Sequence, residues 1–442
     1  MTDIIIIGSG PGGYETAEYA AKQGLSVAII ERADAGGTCL NCGCIPTKSL
    51  CHDAESKLLD NADDAMRETL FANAMERKNA VVAQLRNGVE QLMQQPGIIY
   101  IKGEGKITGE KTVEVKLAEG GTETLMCDKA IIIATGSRSK MPPVEGITNS
   151  CVVTSTELLN ISKAPKRLCI VGAGVIGMEF ASVFNRFGSE VTVIEFMKEC
   201  LPTMDSDIAK RLRKLLEKRG ITFHLASGVK AISETGVATF EKKGKELTAE
   251  ADIVLVATGR AANVEGIGLE TVGIECDRRG ICVDENMRTN VESIYAIGDV
   301  NGRQMLAHAA TAQGRRAINN ILGIKDNIRF DIMPAAVFTA PEAASVGLTQ
   351  QQCTDQEIES TCRKAYWRAN GRALAMEADE GMIKLIADSN DKIIGCHAYG
   401  EGAAAIIQEA ATLMNMNATV AQLRDIIHIH PTLSEILKDA AI

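Results

Sequence analysis

Aromatic side chains are scarce in this chain of 442 residues: Phe, Trp and Tyr make up 4%, with a single Trp. That argues against a base-stacking platform for single-stranded nucleic acid. No block of Lys or Arg stands out and the formal charge is −10, so a phosphate backbone is not the expected partner. Proline is scarce at 10 residues, which leaves little room for Pro-rich linkers. No run of about 18 apolar residues occurs, so no segment reads as a membrane helix. The opening MTDIIIIGSG lacks a basic flank, and its apolar run stops after four Ile. It reads as a strand and not as a signal peptide. A disordered composition is missing as well: 45% hydrophobic and 24% charged residues are ordinary for a globular protein.

Glycine is abundant, at 40 residues, which suits many tight strand-to-helix turns. Thirteen cysteines are an odd number and mostly lie far apart. A secreted disulfide framework is normally short, even-numbered and dense, so a reducing compartment, the cytoplasm, is expected. The length suggests about three domains.

The main organising feature is an internal repeat. Residues 4–31 read IIIIGSGPGGYETAEYAAKQGLSVAIIE, and residues 168–195 read LCIVGAGVIGMEFASVFNRFGSEVTVIE. At a constant offset Gly8, Gly10, Gly13, Glu15 and Glu31 fall on Gly172, Gly174, Gly177, Glu179 and Glu195. Each copy is an apolar run, a Gly-rich turn, an Ala-rich or apolar helix and a second apolar run ending in Glu, the pattern of a βαβ unit. In such a unit the first Gly makes the turn, the second admits a pyrophosphate and the third lets helix and strand pack. The helix N-terminus then faces the phosphates. Glu31 and Glu195 stand where a carboxylate accepts ribose hydroxyl protons, and Glu195 disfavours a 2′-phosphate, so NAD is expected over NADP. Lys198 is the nearby cation.

A second echo follows each copy, AIIIATGS at 130–137 and DIVLVATGR at 252–260. Residues 52–94 read as helix and residues 98–126 as a small antiparallel excursion. Residues 327–442 read as a separate α+β domain, with strand signals near 343–348, 382–387 and 392–398 and helices near 402–415 and 432–440.

GGTCLNCGCIPTKSL at 36–50 places Cys39, Cys42 and Cys44 together, with Cys51 close behind. Two readings are open from the residues themselves: C-x2-C-x-C binds a metal with His52 as a candidate fourth ligand, or disulfides shuffle between Cys39 and Cys42. Cys42 is expected to point into the core as a small hydrophobe. Near the end, His430 sits in His-Pro-Thr with Glu435 five residues on, where a carboxylate can orient the ring and raise its basicity. His428 is expected to be structural.

The C-x4-C segment, with ATGS at 134–137, ATGR at 257–260, AIGDV at 296–300, MLAHAA at 305–310 and HIHPTLSE at 428–435, resembles the pyridine nucleotide–disulfide oxidoreductases over essentially the whole chain. Within that family the His-Pro end is most similar to the branch acting on dihydrolipoyl groups. The resemblance implies an α/β fold with two Rossmann-like dinucleotide-binding domains, for FAD and NAD, and a C-terminal α+β dimerisation domain. Its boundaries would be 1–143 for the first FAD part, 144–262 for NAD, 263–326 for the second FAD part and 327–442 for the dimer interface. It implies a redox-active Cys39–Cys44 disulfide, a base at His430 with Glu435, and a Lys48–Glu179 pair beside the flavin. Gly8, Gly10, Gly13, Glu31, Thr38, Lys48, Gly105, Thr135, Gly136, Ser137, Asp299, Met305, Leu306, Ala307 and His308 would serve FAD. Gly172, Gly174, Gly177, Glu195, Val229 and Gly259 would serve NAD. No metal is implied. The implied reaction is oxidation of protein-bound dihydrolipoyl groups by NAD through FAD. The implied partners are a second copy of the chain and lipoyl domains of 2-oxoacid dehydrogenase or glycine cleavage complexes. A glutathione- or mercuric-reductase-like enzyme and a non-catalytic flavin scaffold are the alternatives. The family usually has an aliphatic residue at Cys42.

Overall fold

The computed structural model describes residues 1–442, which divide into two compact units. The first unit comprises residues 1–49, 75–140 and 259–328. It opens with strand β1 (Thr2–Ile7), helix α1 (Pro11–Lys22) and strand β2 (Val27–Glu31). The continuous Ile and Val runs of both strands are buried on both faces, as parallel strands covered by helices require. Strand β1 pairs in parallel with β2 on one side and with the far end of a long strand, Thr122–Ile133, on the other. Ile294–Ala296 extends the sheet beyond it, and Ile98–Gly109 lies against β2. The strand order reverses at β1, the place where α/β sheets bind ligands. Ile98–Gly109 and Thr122–Ile133 run on past the parallel sheet and pair with Thr112–Leu117, so the antiparallel excursion is a real three-stranded element.

The second unit comprises residues 50–74, 141–258 and 329–442. It repeats the βαβ unit as Arg167–Val171, Val175–Arg186 and Glu190–Ile194, in a five-stranded parallel sheet completed by Thr222–His224, Ile253–Val256 and Val152–Val153. A three-stranded antiparallel sheet over 227–250 accompanies it. The C-terminal part of this unit is a five-stranded antiparallel sheet packed by helix Ala403–Asn415. The expected helix over 52–94 is broken: it ends at Ala54 and resumes at Asp64–Leu92.

Candidate active site

The two Gly-rich turns are built alike. Gly8 and Gly172 adopt φ +105° and +106°, the left-handed region that glycine tolerates. A Cβ at Gly8 would lie 2.9 Å from the carbonyl carbon of Ala134, and one at Gly172 would lie 2.9 Å from that of Ala257. In both copies the glycine therefore lets the turn close onto the strand of the Ala-Thr-Gly echo. Side chains at Gly10 or Gly174 would instead meet no protein atom within 4 Å. That open space lies at the N-termini of α1 and of helix Val175–Arg186, as a pyrophosphate requires.

Each strand-end glutamate grips its own turn. Glu31 accepts the Ser9 N–H at 2.7 Å and the Ser9 hydroxyl at 2.8 Å on one oxygen, and the Ala33 N–H on the other. Glu195 accepts the Ala173 N–H at 2.5 Å and the Met197 N–H at 2.6 Å. Both carboxylates are buried. Their backbone bonds fix them against the two Gly-rich turns. Beside Glu195 a cavity of about 410 Å³ is lined by Phe196, Met197, Leu201 and Met204. Val229 lies on the neighbouring strand Ser227–Ile232.

In the first unit, helix α2 (Gly37–Cys42) is docked on the first turn: Gly36 N–H donates to the Ser9 carbonyl, and Gly37 packs against the backbone of Gly10. Thr38 and Cys39 are thereby carried beside the pyrophosphate turn. Helix α3 (Cys44–Ala54) follows after the single residue Gly43. A Cβ at Gly43 would lie 2.8 Å from the Thr38 carbonyl oxygen and 3.2 Å from Cys39 Cα. The glycine thus lets the chain fold back so that Cys44 meets Cys39. The hydrogen bond with Cys44, and burial after it, push the Cys39 thiol up, while Lys48 pulls it down. Lys48 stands one helical turn after Cys44. The α2 brace is a network missed in the sequence. Asn41 donates to the carbonyls of Ala35 and Gly37 and accepts from Arg86, which also pairs with Asp34. Tyr14, pushed up to about 12 by burial, Glu15 and Cys39, is a second neighbour not anticipated.

Cys42 corrects an expectation. It is half-buried as the last residue of the six-residue α2, whose buried residue is Leu40, and is not part of the core. No group of His, Cys, Asp and Glu side chains is arranged to hold a metal ion.

The remaining residues expected to serve FAD lie in the same unit. The Ser137 hydroxyl donates to Asp299 at 2.5 Å, and Arg260 donates to Ser137 through both its hydroxyl and its carbonyl. Arg260 was not anticipated; its place directly after Gly259 was the available signal. Thr135 bonds Asn263, next to Gly136. Met305 and Leu306 lead into helix Ala307–Leu322, so residues 305–308 approach a helix start whose first N–H groups point outward. Gly105 lets its strand close over Ile7 and Ile30.

In the second unit, His430 Nδ1 lies 3.0 Å from a Glu435 oxygen, and the other oxygen accepts the Thr432 N–H. Those bonds, Thr432 first, hold the Glu435 carboxyl below its usual value. An ionised carboxylate can only accept, so Nδ1 carries the proton and Nε2 is left as the basic nitrogen. His428 is structural: it bonds Glu409 and the Ile426 carbonyl. Glu179 is buried and accepts the Phe338 N–H at 2.9 Å.

Two dinucleotide cradles of matching build, a vicinal thiol pair on one of them and a carboxylate-oriented histidine define a class: flavin-dependent disulfide oxidoreductases that work with a nicotinamide nucleotide. The comparisons agree. The pyridine nucleotide-disulphide oxidoreductase model matches residues 2–314 and the dimerisation domain of the same family matches residues 333–441, so the chain belongs to that family. It is an FAD- and NAD-using oxidoreductase with a C-terminal dimerisation domain. The chain is 40% identical to a leghemoglobin reductase of Glycine max, over 99% of this chain and 87% of that protein. It is 39% identical to a mitochondrial dihydrolipoyl dehydrogenase of Pisum sativum, over 99% and 90%. Among solved structures, an HOCl-induced flavoprotein disulfide reductase from Escherichia coli superposes with a TM-score of 0.89 at 32% identity, covering 99% of each chain. No helix is long and apolar enough to cross a membrane.

Proposed function

We propose that this chain oxidises protein-bound dihydrolipoyl groups with NAD as acceptor, serving lipoyl domains of 2-oxoacid dehydrogenase or glycine cleavage complexes in the cytoplasm. The observation that carries the reading is the His430–Glu435 pair, whose fixed tautomer offers Nε2 as a base for a dithiol substrate. His430 removes a substrate thiol proton. The thiolate attacks Cys39, the Cys39–Cys44 bond breaks, and the electron pair leaves on Cys44. The second substrate thiolate then releases the product disulfide and leaves Cys39 as a thiol. FAD, when bound, supplies the two-electron carrier that joins dithiol chemistry to hydride acceptance by NAD. Lys48, one turn from Cys44, favours a thiolate over a thiol there. Residues 1–143 and 263–326 would carry FAD, 144–262 NAD and 327–442 the dimer face.

Glu195 speaks against an NADP-dependent glutathione-type reductase. The test is a steady-state assay with dihydrolipoamide and with glutathione, each against NAD and NADP. Dihydrolipoamide with NAD should give the highest kcat/KM, and a preference for glutathione or NADP would overturn the reading.

A further inference from the structure

The proposed chemistry uses two of the three thiols around Gly43 and leaves Cys42 idle. Cys39 and Cys42 are residues i and i+3 of α2, so they share a face, with Cβ atoms about 5–6 Å apart in a regular helix. A disulfide needs Cβ atoms about 3.5–4.5 Å apart. The gap closes if the last turn unwinds and Cys42, the final residue of α2, swings towards Cys39 about its junction with Gly43. Helix α2 is suited to that. It has six residues, its start is tied to Ser9, and its end abuts Gly43. Both sulfurs are half-buried, not sealed in the core.

We propose that Cys42 is a third exchange thiol that takes Cys39 into an alternative Cys39–Cys42 disulfide. This rests on the reading of Cys39–Cys44 as the redox pair. Cys42 loses its proton to solvent and its thiolate attacks Cys39 Sγ. The Cys39–Cys42 bond forms as the Cys39–Cys44 bond breaks, and the electron pair leaves on Cys44, with no net oxidation. The same attack resolves a mixed disulfide between Cys39 and a small monothiol, which leaves as its thiolate. Cys42 thereby returns a capped Cys39 to the internal exchange, and attack by Cys44 reverses the step.

The test uses the flavin-loaded Cys44→Ser protein incubated with oxidised glutathione. Cys39 or Cys42 first forms a mixed disulfide, the other displaces the second glutathione, and one oxidised glutathione becomes two reduced ones. The tryptic peptide spanning residues 33–48 should lose two hydrogens, carry no adduct and resist alkylation. Cys42→Ser in the same background should trap a stable glutathione adduct on Cys39. An adduct on Cys39 beside an alkylatable Cys42 in Cys44→Ser itself would overturn the proposal. If Cys44→Ser does not fold, acid-quenched oxidised wild type is mapped instead. A minor Cys39–Cys42 linkage absent from Cys42→Val supports the exchange, and Cys39–Cys44 alone overturns it. An oxidised wild type with all three thiols free would sink the redox-pair reading itself, a separate outcome.

Discussion

Glu195 holds its own turn and is expected to bind a ribose with the same carboxylate, and the substitution that tests the second role is informative. Its oxygens hold the second Gly-rich turn through Ala173 and the loop that follows through Met197. Each oxygen keeps a lone pair for a ribose hydroxyl. A hydrogen bond to a charged group contributes about 1.5–3 kcal/mol, so Glu195→Ala should raise KM for NAD by roughly 10–100-fold. Removing the charge should also narrow the preference over NADP. Unchanged kcat/KM values with both nucleotides would remove Glu195 from the site. At the thiols, Cys39→Ser and Cys44→Ser should each abolish dihydrolipoamide turnover while FAD stays bound, since the flavin cradle does not depend on either sulfur. Cys42→Val should leave that turnover nearly intact, because Cys42 is off the main route.

Among the elements, the break between α2 and α3 is the most sensitive. Gly43→Ala would drive a methyl group into the Thr38 carbonyl and Cys39 Cα. Cys44 would be pushed off Cys39, so turnover should fall at least as far as in a single cysteine variant, with flavin absorbance retained. Wild-type turnover in Gly43→Ala would show that the fold-back is not needed. In the second unit, Asp205 caps helix Ser206–Lys218 and pairs with Lys384, both side chains being 2% exposed. Burial pulls the Lys384 ammonium down, but the bond to Asp205 and the charges of Asp205 and Asp207 outweigh it and raise its pKa above 10.5. A raised folded value means that this contribution is complete below the ordinary lysine range and is lost as pH climbs through the folded value. Lys384→Met strands a buried carboxylate and should cost about 3–5 kcal/mol, seen as a lowered Tm near neutral pH. A Tm within a degree or so of wild type would mean that the pair contributes nothing net.

These elements also show what could be read in advance. The two βαβ units were legible because glycine spacing, strand run and terminal Glu agree in both copies. Strands at Ala343–Gly347, Met382–Asp388 and Ile393–Tyr399 announce themselves by apolar runs. Ser360–Tyr366 does not, because TCRKAY mixes charges into its pattern and pairs on the edge of its sheet. The antiparallel sheet over 227–250 was missed for the same reason, its last strand being KELTAE. Cys39, Cys44 and His430 stood out by spacing and neighbours. Asn41, Arg86 and Arg260 did not, because their work is to brace other groups, and the Asn41–Arg86 and Arg260–Ser137 bonds span long sequence separations.

At the scale of the whole molecule the question is which chain supplies the base. The His430 side chain is 79% exposed, and Ile427 and Ile429 beside it are 94% and 80% exposed. Two bare isoleucines just ahead of a carboxylate-oriented histidine, in a segment matched by a dimerisation domain, are what a residue delivered to a partner would look like. The expectation is a homodimer in which His430 of one chain serves the cysteines of the other. His430→Gln should lower turnover by ~10²–10⁴-fold, the usual size of a lost general base. One chain carrying Cys39→Ser and Cys44→Ser and another carrying His430→Gln should each be nearly dead as homodimers. If sites are shared between chains, a mixed dimer has one site with both defects and one intact site, and activity returns on mixing. If each chain uses its own histidine, every site in the mixture keeps one defect. Mass spectrometry under native conditions establishes that subunits have exchanged, and a mixture that is fully exchanged yet still inactive rules the shared site out.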